Sequence, residues 1–427
     1  MKISFKLTTL SILISSSLLL NSCSSDNEVI DDDITQEEPI EQITDLSQNG
    51  LANCYIVQDP GKYKFKADNQ FNLGEGLPVP PQINPVTASL IWQTERNLIK
   101  NLELTIEEDG LYINFEVAKA EGNALLAACD ENGNIEWSWH IWMPKEAVTS
   151  LTSEKGYEVM NMNLGALNNI AGDVYSYGML YQWGRKDPFP AGGTLTGDVN
   201  TISANMYDIN NQKVLLKNSS WTDNENNTLE FSIANPTIVL SNYSQYAITR
   251  DWLKAEKSDD SLWGNPNGYL RDEESRELIN KGSKTCYDPS PLGWRVPPAD
   301  VFSNFTVDGG YAWDMDSFNI ADINSDKIFD LSDYIYGWHF MINSEDALYF
   351  PAAARFDGSY AMLMGSMSGL WGNYWSNSPY NNMDGGAYCA LAFQVKDQNG
   401  EEMITVSPSA ASSRADAFSI RCIRDEQ

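Results

Sequence analysis

The chain has 427 residues, a formal net charge of −31 at pH 7 and a sequence isoelectric point of about 4.2. A surface this acidic repels phosphate backbones and anionic headgroups, which excludes nucleic acid and anionic lipid as partners. The length is enough for two domains, and no segment after the leader approaches the roughly 18 uninterrupted apolar residues of a transmembrane helix.

The N-terminus has the features of a secretory leader. Lys2 and Lys6 precede an apolar, serine-containing stretch at residues 7–20 that is too short to span a bilayer stably. The stretch ends at Leu20–Cys23 (LNSC), which resembles the lipobox of bacterial lipoproteins. The resemblance implies a signal peptide over residues 1–22 and an acylated Cys23, with palmitate or a similar chain, as the new N-terminus. An ordinary signal peptide followed by a coincidental cysteine is the alternative.

Residues 23–50 are acidic and contain no Lys or Arg. Such a segment buries too little apolar surface to fold, so a disordered, self-repelling tether is expected. Acidic residues soon after a lipidated cysteine also resemble the export signal of Bacteroidetes surface lipoproteins. This resemblance implies a lipid anchor in the outer membrane with the protein on the cell surface, whereas a plain spacer explains the same composition.

Residues 51–148 are predicted to form an all-β, sandwich-like domain. Apolar residues alternate with polar ones through Leu102–Ile106 and Leu111–Val117, on either side of an Asp-Gly turn. A second hairpin joins the apolar run Ala124–Cys129 to Ile135–Trp142 through a turn rich in Asn and Gly. Paired hairpins of this kind favour a sandwich.

Residues 149–427 consist of short apolar segments separated by Gly, Asn, Asp and Ser, with an Asn-rich insertion at about residues 196–275. The motifs that stand out are NLGA (163–166), YGMLYQWGRKDPF (177–189), GWRVP (293–297), YWSNS (374–378) and FSIRC (418–422). Their order resembles the Fibrobacter succinogenes major paralogous domain family (FISUMP) of Bacteroidetes surface lipoproteins. The resemblance implies an α+β, C-type-lectin-like fold whose sheet brings its first and last strands together.

The same resemblance implies a disulfide. The family usually has a cysteine at the position of Ser290, which would pair with the cysteine that matches Cys422. The nearest cysteine in this chain is Cys286, so a Cys286–Cys422 disulfide is expected if the backbone loops back far enough. Two free, buried thiols are the alternative. Five cysteines besides Cys23 leave at least one thiol unpaired in any case.

Residues 322–333 (DINSDKIFDLSD) suggest a calcium loop. Oxygen-bearing side chains occupy its positions 1, 3, 5, 9 and 12, which are Asp322, Asn324, Asp326, Asp330 and Asp333. This spacing resembles the Ca²⁺ loop of EF-hands and dockerins. Position 6 is Lys327, where such a loop has glycine for its sharp turn, so a solvated acidic loop is the alternative. Apart from Ca²⁺, no cofactor is expected.

Residues 369–380 are predicted to form an aromatic, amide-rich loop. Its candidate ligand contacts are Trp371, Tyr374, Asn377 and Tyr380, because stacking rings and amide groups recognise a neutral glycan or a peptide. Packing within a tightly folded loop is the alternative.

Catalysis is not expected. The chain has two histidines, neither in a His-Glu-x-x-His arrangement, and it lacks a Gly-x-Ser-x-Gly elbow and a glycine-rich phosphate loop. The sequence therefore predicts a non-catalytic surface lipoprotein that recognises a glycan or a protein through loops on a rigid scaffold. The alternative is an accessory or tip subunit of a fimbria-like assembly, which would need an exposed edge strand in the N-terminal domain.

Overall fold

The computed structural model describes residues 42–71, 77–118, 121–195, 205–218, 227–241, 250–254, 258–272, 277–382, 386–396 and 402–425. Helices within these ranges are few and short. They are one α-helix, α1 (Leu229–Ala234), and the 3₁₀ turns Val174–Ser176, Ala299–Phe305, Met315–Ser317, Leu331–Asp333 and Gly365–Met367.

Strands make up most of the regular structure. The first ten are β1 (Ile43–Asp45), β2 (Cys54–Ile56), β3 (Gly61–Lys66), β4 (Thr87–Gln93), β5 (Ile99–Glu107), β6 (Gly110–Val117), β7 (Gly122–Cys129), β8 (Ile135–Met143), β9 (Ser150–Thr152) and β10 (Glu158–Met160). The next are β11 (Met179–Gln182), β12 (Phe189–Pro190), β13 (Met206–Tyr207), β14 (Lys213–Val214), β15 (Lys217–Asn218), β16 (Ile238–Val239), β17 (Trp294–Arg295), β18 (Gly337–Met341) and β19 (Ala347–Pro351). The last are β20 (Phe356–Asp357), β21 (Met362–Leu363), β22 (Trp371–Pro379), β23 (Gly386–Lys396), β24 (Glu402–Thr405), β25 (Ala410–Ser413), β26 (Ala417–Ser419) and β27 (Ile423–Arg424). The fold is therefore mostly β.

Two N-terminal sheets form the sandwich-like arrangement. One has the order β1-β3-β6-β5 and the other β14-β13-β4-β7-β8-β2. Phe65 of the first sheet packs 5.2 Å from Trp139 of the second, measured between ring centroids. Both predicted hairpins are confirmed, as β5–β6 and β7–β8. The predicted insertion adds β13 and β14 to the second sheet, where Tyr207 pairs with Gln93.

Strand β8 is buried on both sides, because it lies between the first sheet and the chain beyond residue 149. On the second side, the indole of Trp142 donates to the carbonyl of Ala166 at 2.7 Å. The hydroxyl of Ser138 donates to the Asp187 carboxylate at 2.6 Å. Residues 42–427 accordingly form one compact unit. The domain division between residues 148 and 149 stays a prediction, but both sides of it contribute to one hydrophobic core.

The C-terminal sheets bring distant parts of the chain together. The larger one has the order β12-β11-β26-β22-β23-β24 along its main path, and the smaller one has the order β17-β27-β10-β9. In the smaller sheet, Val159 pairs with Ile423, so the beginning and the end of this region are adjacent. Trp294 and Trp375 are both buried, as expected of core anchors.

The N-terminal predictions are only partly covered by the described residues. The signal peptide, Cys23 and the tether up to residue 41 lie outside them. The tether boundary at residue 50 is wrong, because residues 43–45 form β1, which pairs in parallel with β3. Main-chain pairing along that edge orders these residues despite their acidic neighbours. No helix of the described residues is both long and apolar enough to cross a membrane.

Candidate functional site

The predicted ligand loop is a strand inside the larger C-terminal sheet. Tyr374 is fully buried, and its hydroxyl donates to the carbonyl of Pro351 at 2.7 Å. Asn377 is buried as well, where its amide oxygen accepts from Nδ2 of Asn265 at 2.7 Å and its amide donates to the carbonyl of Lys281 at 3.2 Å. The prediction that Tyr374 and Asn377 contact a ligand is therefore wrong. Their polar groups hold neighbouring loops onto β22.

The other two predicted contacts, Trp371 and Tyr380, are half-buried at opposite ends of the same segment. They stand at the two ends of the nine-residue strand β22, which separates them too far to line one site. The guanidinium of Arg355 lies 5.3 Å from the ring centroid of Trp371. Trp371 thus packs as the partner of a cation and offers a ligand little free ring surface.

Of the tryptophans that the structure describes, one is exposed, and it is not among those that the sequence singled out. Trp221 lies outside the described residues; of the other twelve tryptophans, ten are at most 3% exposed and Trp371 is half-buried. Trp313 is 72% exposed. Tyr311, 48% exposed, packs against it edge to face, with ring centroids 4.9 Å apart and an interplanar angle of 84°. We call Tyr311 and Trp313 the aromatic pair.

The aromatic pair is held outward by the residue between its members. Ala312 is buried and forms a β-bridge with the buried Val406, with a 2.9 Å hydrogen bond in each direction. Side chains alternate across an extended backbone, so anchoring Ala312 inward turns both aromatic rings toward solvent. A second bridge, between Thr306 and Phe318, closes the base of the loop. The rings therefore stand on a braced loop.

Carboxylates surround the aromatic pair in sequence and are exposed. Asp308 accepts from the backbone N–H of Gly310 at 2.9 Å, and Asp314 accepts from that of Asp316 at 3.0 Å. The second oxygen of Asp314 accepts from the hydroxyl of Ser317 at 3.0 Å, and a carboxylate oxygen can accept more than one hydrogen bond. The loop thus presents two aromatic faces beside acceptors for hydroxyl or amide donors.

The predicted calcium loop is present as a compact acidic turn. The carboxylate of Asp322 accepts from the backbone N–H groups of Asp326 and Lys327 at 3.2 and 2.8 Å. Ser325 and Lys327 have φ angles of 62° and 69°. Lys327 therefore adopts the left-handed conformation that glycine would supply at this position.

The remaining predicted ligands of this loop also bond within it. The amide oxygen of Asn324 accepts from the N–H of Asp326 at 2.9 Å, and Asp333 accepts from the N–H of Ile323 at 3.0 Å. Asp330 caps the following 3₁₀ turn. In the part of the chain that the structure describes, no three His, Cys, Asp or Glu side chains are placed to hold a metal ion. The calcium site stays a prediction.

Cys286 and Cys422 are free, buried thiols in the structure, so the predicted disulfide is wrong. Cys286 Sγ donates to the carbonyl of Pro78 at 3.4 Å, whereas Cys422 Sγ donates to the hydroxyl of Ser290 at 3.3 Å. The two thiols thus face different partners. Burial raises the pKa of each thiol to about 12, which keeps both protonated and unreactive at neutral pH.

A buried cluster has the composition of a catalytic triad. Nδ1 of His140 lies 3.5 Å from Sγ of Cys54, and Nε2 lies 2.8 Å from Oδ1 of Asn123. All three side chains are at most 3% exposed. Burial raises the pKa of the Cys54 thiol and lowers the pKa of His140 to about 3, so both groups are neutral. The cluster has no thiolate, and His140 is a buried residue whose ring nitrogens face buried neighbours.

Comparison with known proteins adds no relative: no family model, no curated protein and no solved structure matches the chain. The fold and site therefore define the class by themselves, as a mostly β protein with an exposed aromatic pair on a braced loop.

Proposed function

We propose that this chain is a surface-exposed lipoprotein that binds a glycan without catalysis, and that the aromatic pair is its contact surface. The exposure of Trp313 carries the proposal. An indole left in water forgoes the favourable burial that ten other tryptophans of this chain obtain. A ring that stays exposed on a braced loop is suited to stack against the apolar face of a sugar, while neighbouring carboxylates accept from its hydroxyls.

The cellular location is part of the proposal and comes from the sequence. An acylated Cys23 would anchor the chain, and the acidic residues after it would carry the folded part away from the outer membrane. Multiple acyl chains hold a protein to a bilayer far better than a single chain does. In this reading the chain is on the cell surface, where glycans and mucin proteins are available.

The proposed fold of the C-terminal region is the C-type-lectin-like fold of the FISUMP family. Two contacts support it. The pairing of β10 with β27 brings the start of the region next to its last strand, as the resemblance implies. Ser290, at the position of the missing family cysteine, touches Cys422, which matches that cysteine's expected partner.

The experiment is a glycan and mucin-protein array probed with the full chain, in a detergent without a sugar headgroup. We expect saturable binding that Trp313→Ala weakens at least tenfold. Tyr360→Ala is the matched control, since Tyr360 is also an exposed aromatic residue but lies on the turn between β20 and β21. Equal binding by the wild type and Trp313→Ala, or no binding by a folded wild type, would refute the proposal.

One observation favours the alternative of a fimbria-like subunit. Within the described residues β5 lies at a sheet edge, and its Ile106 is 87% exposed. Strand addition from another subunit uses such edges. However, a bulge between Lys100 and Glu103 interrupts β5, and both charged side chains are exposed, which protects edges against pairing. Surface filaments that Ile106→Lys removes would favour this alternative over adhesion.

A further inference from the structure

A cleft of about 350 Å³ opens where the N-terminal sandwich meets the C-terminal region. The turn between β4 and β5 contributes Thr94, Glu95 and Arg96. Tyr175 of the C-terminal region and Tyr207 of β13 also line the cleft. None of these residues belongs to the aromatic pair, so the cleft is a separate feature of the molecule.

Hydrogen bonds between the walls keep the cleft open. Nδ2 of Asn123 donates to the carbonyl of Gly165 at 3.0 Å, which fixes the sandwich against the C-terminal wall. Asn97 and Asn211 exchange two hydrogen bonds, of 3.1 and 2.9 Å, which fix the β4–β5 turn against the wall that contains Tyr207. A site with fixed walls loses little conformational entropy when a ligand binds.

Close backbone packing shapes the C-terminal wall. Gly165 and Gly178 both line the cleft and have φ angles of 82° and 73°. A Cβ at Gly178 would lie 2.6 Å from the carbonyl oxygen of Leu164, and a Cβ at Gly165 would lie 2.5 Å from Cγ of Met179. Glycine at both positions lets the two segments approach, which brings Tyr175 to the rim.

The lining of the cleft combines aromatic rings with one acidic and one basic side chain. The guanidinium of Arg96 lies 4.5 Å from the ring centroid of Tyr207 and is thereby oriented over the cleft wall. Tyr175 is 52% exposed, so its ring is available for stacking. Glu95, the preceding residue in the chain, adds a carboxylate to the lining. The hydroxyl of Thr94 accepts from the N–H of Asn123 at 2.9 Å, and a hydroxyl can donate as well as accept.

From these features we infer a second binding site, for a neutral saccharide of one or two rings, between Tyr175 and the Arg96–Tyr207 stack. The volume is at the lower end of the range for ligand pockets, about 300–1,000 Å³. A carboxylate that accepts and a guanidinium that donates suit sugar hydroxyls, which both donate and accept. The two charges cancel within the site, and the net charge of −31 on the whole chain disfavours anionic ligands.

The test is a calorimetric titration of the full chain with five neutral sugars: glucose, galactose, N-acetylglucosamine, maltose and lactose. Glucuronate is the charged comparison. We expect at least one neutral sugar to bind in the millimolar range or tighter, and more tightly than glucuronate. Tyr175→Ala and Arg96→Ala should each weaken that binding at least tenfold, with the midpoint of thermal unfolding unchanged. Trp313→Ala and Tyr360→Ala should leave it unchanged.

The proposal is overturned by absence of binding to all five neutral sugars, by tighter binding of glucuronate, or by unchanged binding in either cleft variant. The Trp313→Ala variant distinguishes sugar binding in the cleft from glycan binding at the aromatic pair. A protein that fails on the array but still binds a sugar through Tyr175 has the cleft site alone.

Discussion

Arg421 donates from both Nε and Nη2 to the amide oxygen of Asn163, at 3.0 and 2.7 Å. The two residues are 258 positions apart in the chain, in the last and first of the motifs that resemble the FISUMP family. The guanidinium is fully buried and also donates to the carbonyls of Asn161 and Tyr349, each at 2.8 Å. Burial lowers its pKa to about 10, so it remains charged at neutral pH. Neutral acceptors therefore stabilise a buried cation that ties the two ends of the C-terminal region together.

The first prediction is that Arg421→Lys destabilises the protein by about 2–4 kcal/mol. Lysine cannot reproduce the planar, bidentate contact, and each buried acceptor left without a donor costs about 1–3 kcal/mol. Urea unfolding measures the change. Arg424→Lys is the matched control, because Arg424 lies three positions further along and is 45% exposed over Trp294. Equal effects of the two substitutions would show that the Arg421 network contributes nothing specific.

The second prediction is that Ser290→Cys forms a disulfide with Cys422. The Ser290 hydroxyl already lies 3.3 Å from Sγ of Cys422, so a small shift brings two sulfur atoms into bonding range. A cross-link over 132 positions should stabilise the oxidised protein by about 2–4 kcal/mol. Thiol titration and unfolding under oxidising and reducing conditions measure both effects, with Ser290→Ala as the control. One more free thiol per chain than in the wild type, with no gain in stability, would contradict this prediction.

The third prediction concerns acid. Burial lowers the pKa of His140 to about 3, whereas an unfolded chain takes up that proton near pH 6.5. Between pH 3 and pH 6.5 the native state therefore binds fewer protons than the unfolded chain. The resulting contribution of His140 to the free energy of unfolding is complete above pH 6.5 and is lost as the pH falls toward 3. From pH 7 to pH 4 the loss is about 3 kcal/mol. The Cys54 thiol and Tyr181 hydroxyl beside the ring stay neutral, since burial raises the pKa of both.

The comparison that isolates His140 uses His140→Gln, whose side chain does not titrate. The stability difference between the wild type and this variant should shrink by about 3 kcal/mol between pH 7 and pH 4. Other acids contribute equally to both proteins and cancel. A difference that is constant over this range would show that His140 is protonated in the native state.

Local pattern predicted the hairpins but not the sites. The hairpins were readable because β5, β6 and β8 alternate apolar with polar residues, while β7 is mostly an apolar run that a turn follows. Strand β22 was misread as a loop, since its Asn and Ser residues usually lie in turns; here Asn377 is satisfied by Asn265, 112 positions away. The exposure of Trp313 depends on Ala312 pairing with Val406, a contact between segments far apart in the chain. The cleft likewise draws its lining from four separate stretches of the chain, at residues 94–96, 123, 165–179 and 205–207.

The fourth prediction is that Cys23→Ser abolishes acylation. The motif Leu20–Cys23 places this cysteine where a lipoprotein leader is cleaved, and a serine has no thiol to acylate. Mass spectrometry of the membrane fraction should show acyl chains on the wild type alone, and Cys23→Ser should move to the soluble fraction. Cys129→Ser is the control, because Cys129 is buried within the sandwich. Retention of Cys23→Ser in the membrane would contradict the anchor.

The last prediction is that Ca²⁺ stabilises the acidic turn at residues 322–333. The sequence argument against calcium was Lys327, but its φ of 69° already provides the turn that glycine would allow. The carboxylates must still converge on the ion, so we expect affinity in the weak extracellular range of about 10⁻⁴–10⁻³ M. Millimolar Ca²⁺ should raise the midpoint of thermal unfolding, Asp322→Asn should remove the increase, and Asp308→Asn should not. Identical midpoints in Ca²⁺ and in EGTA would instead identify the turn as a solvated loop held by its own hydrogen bonds.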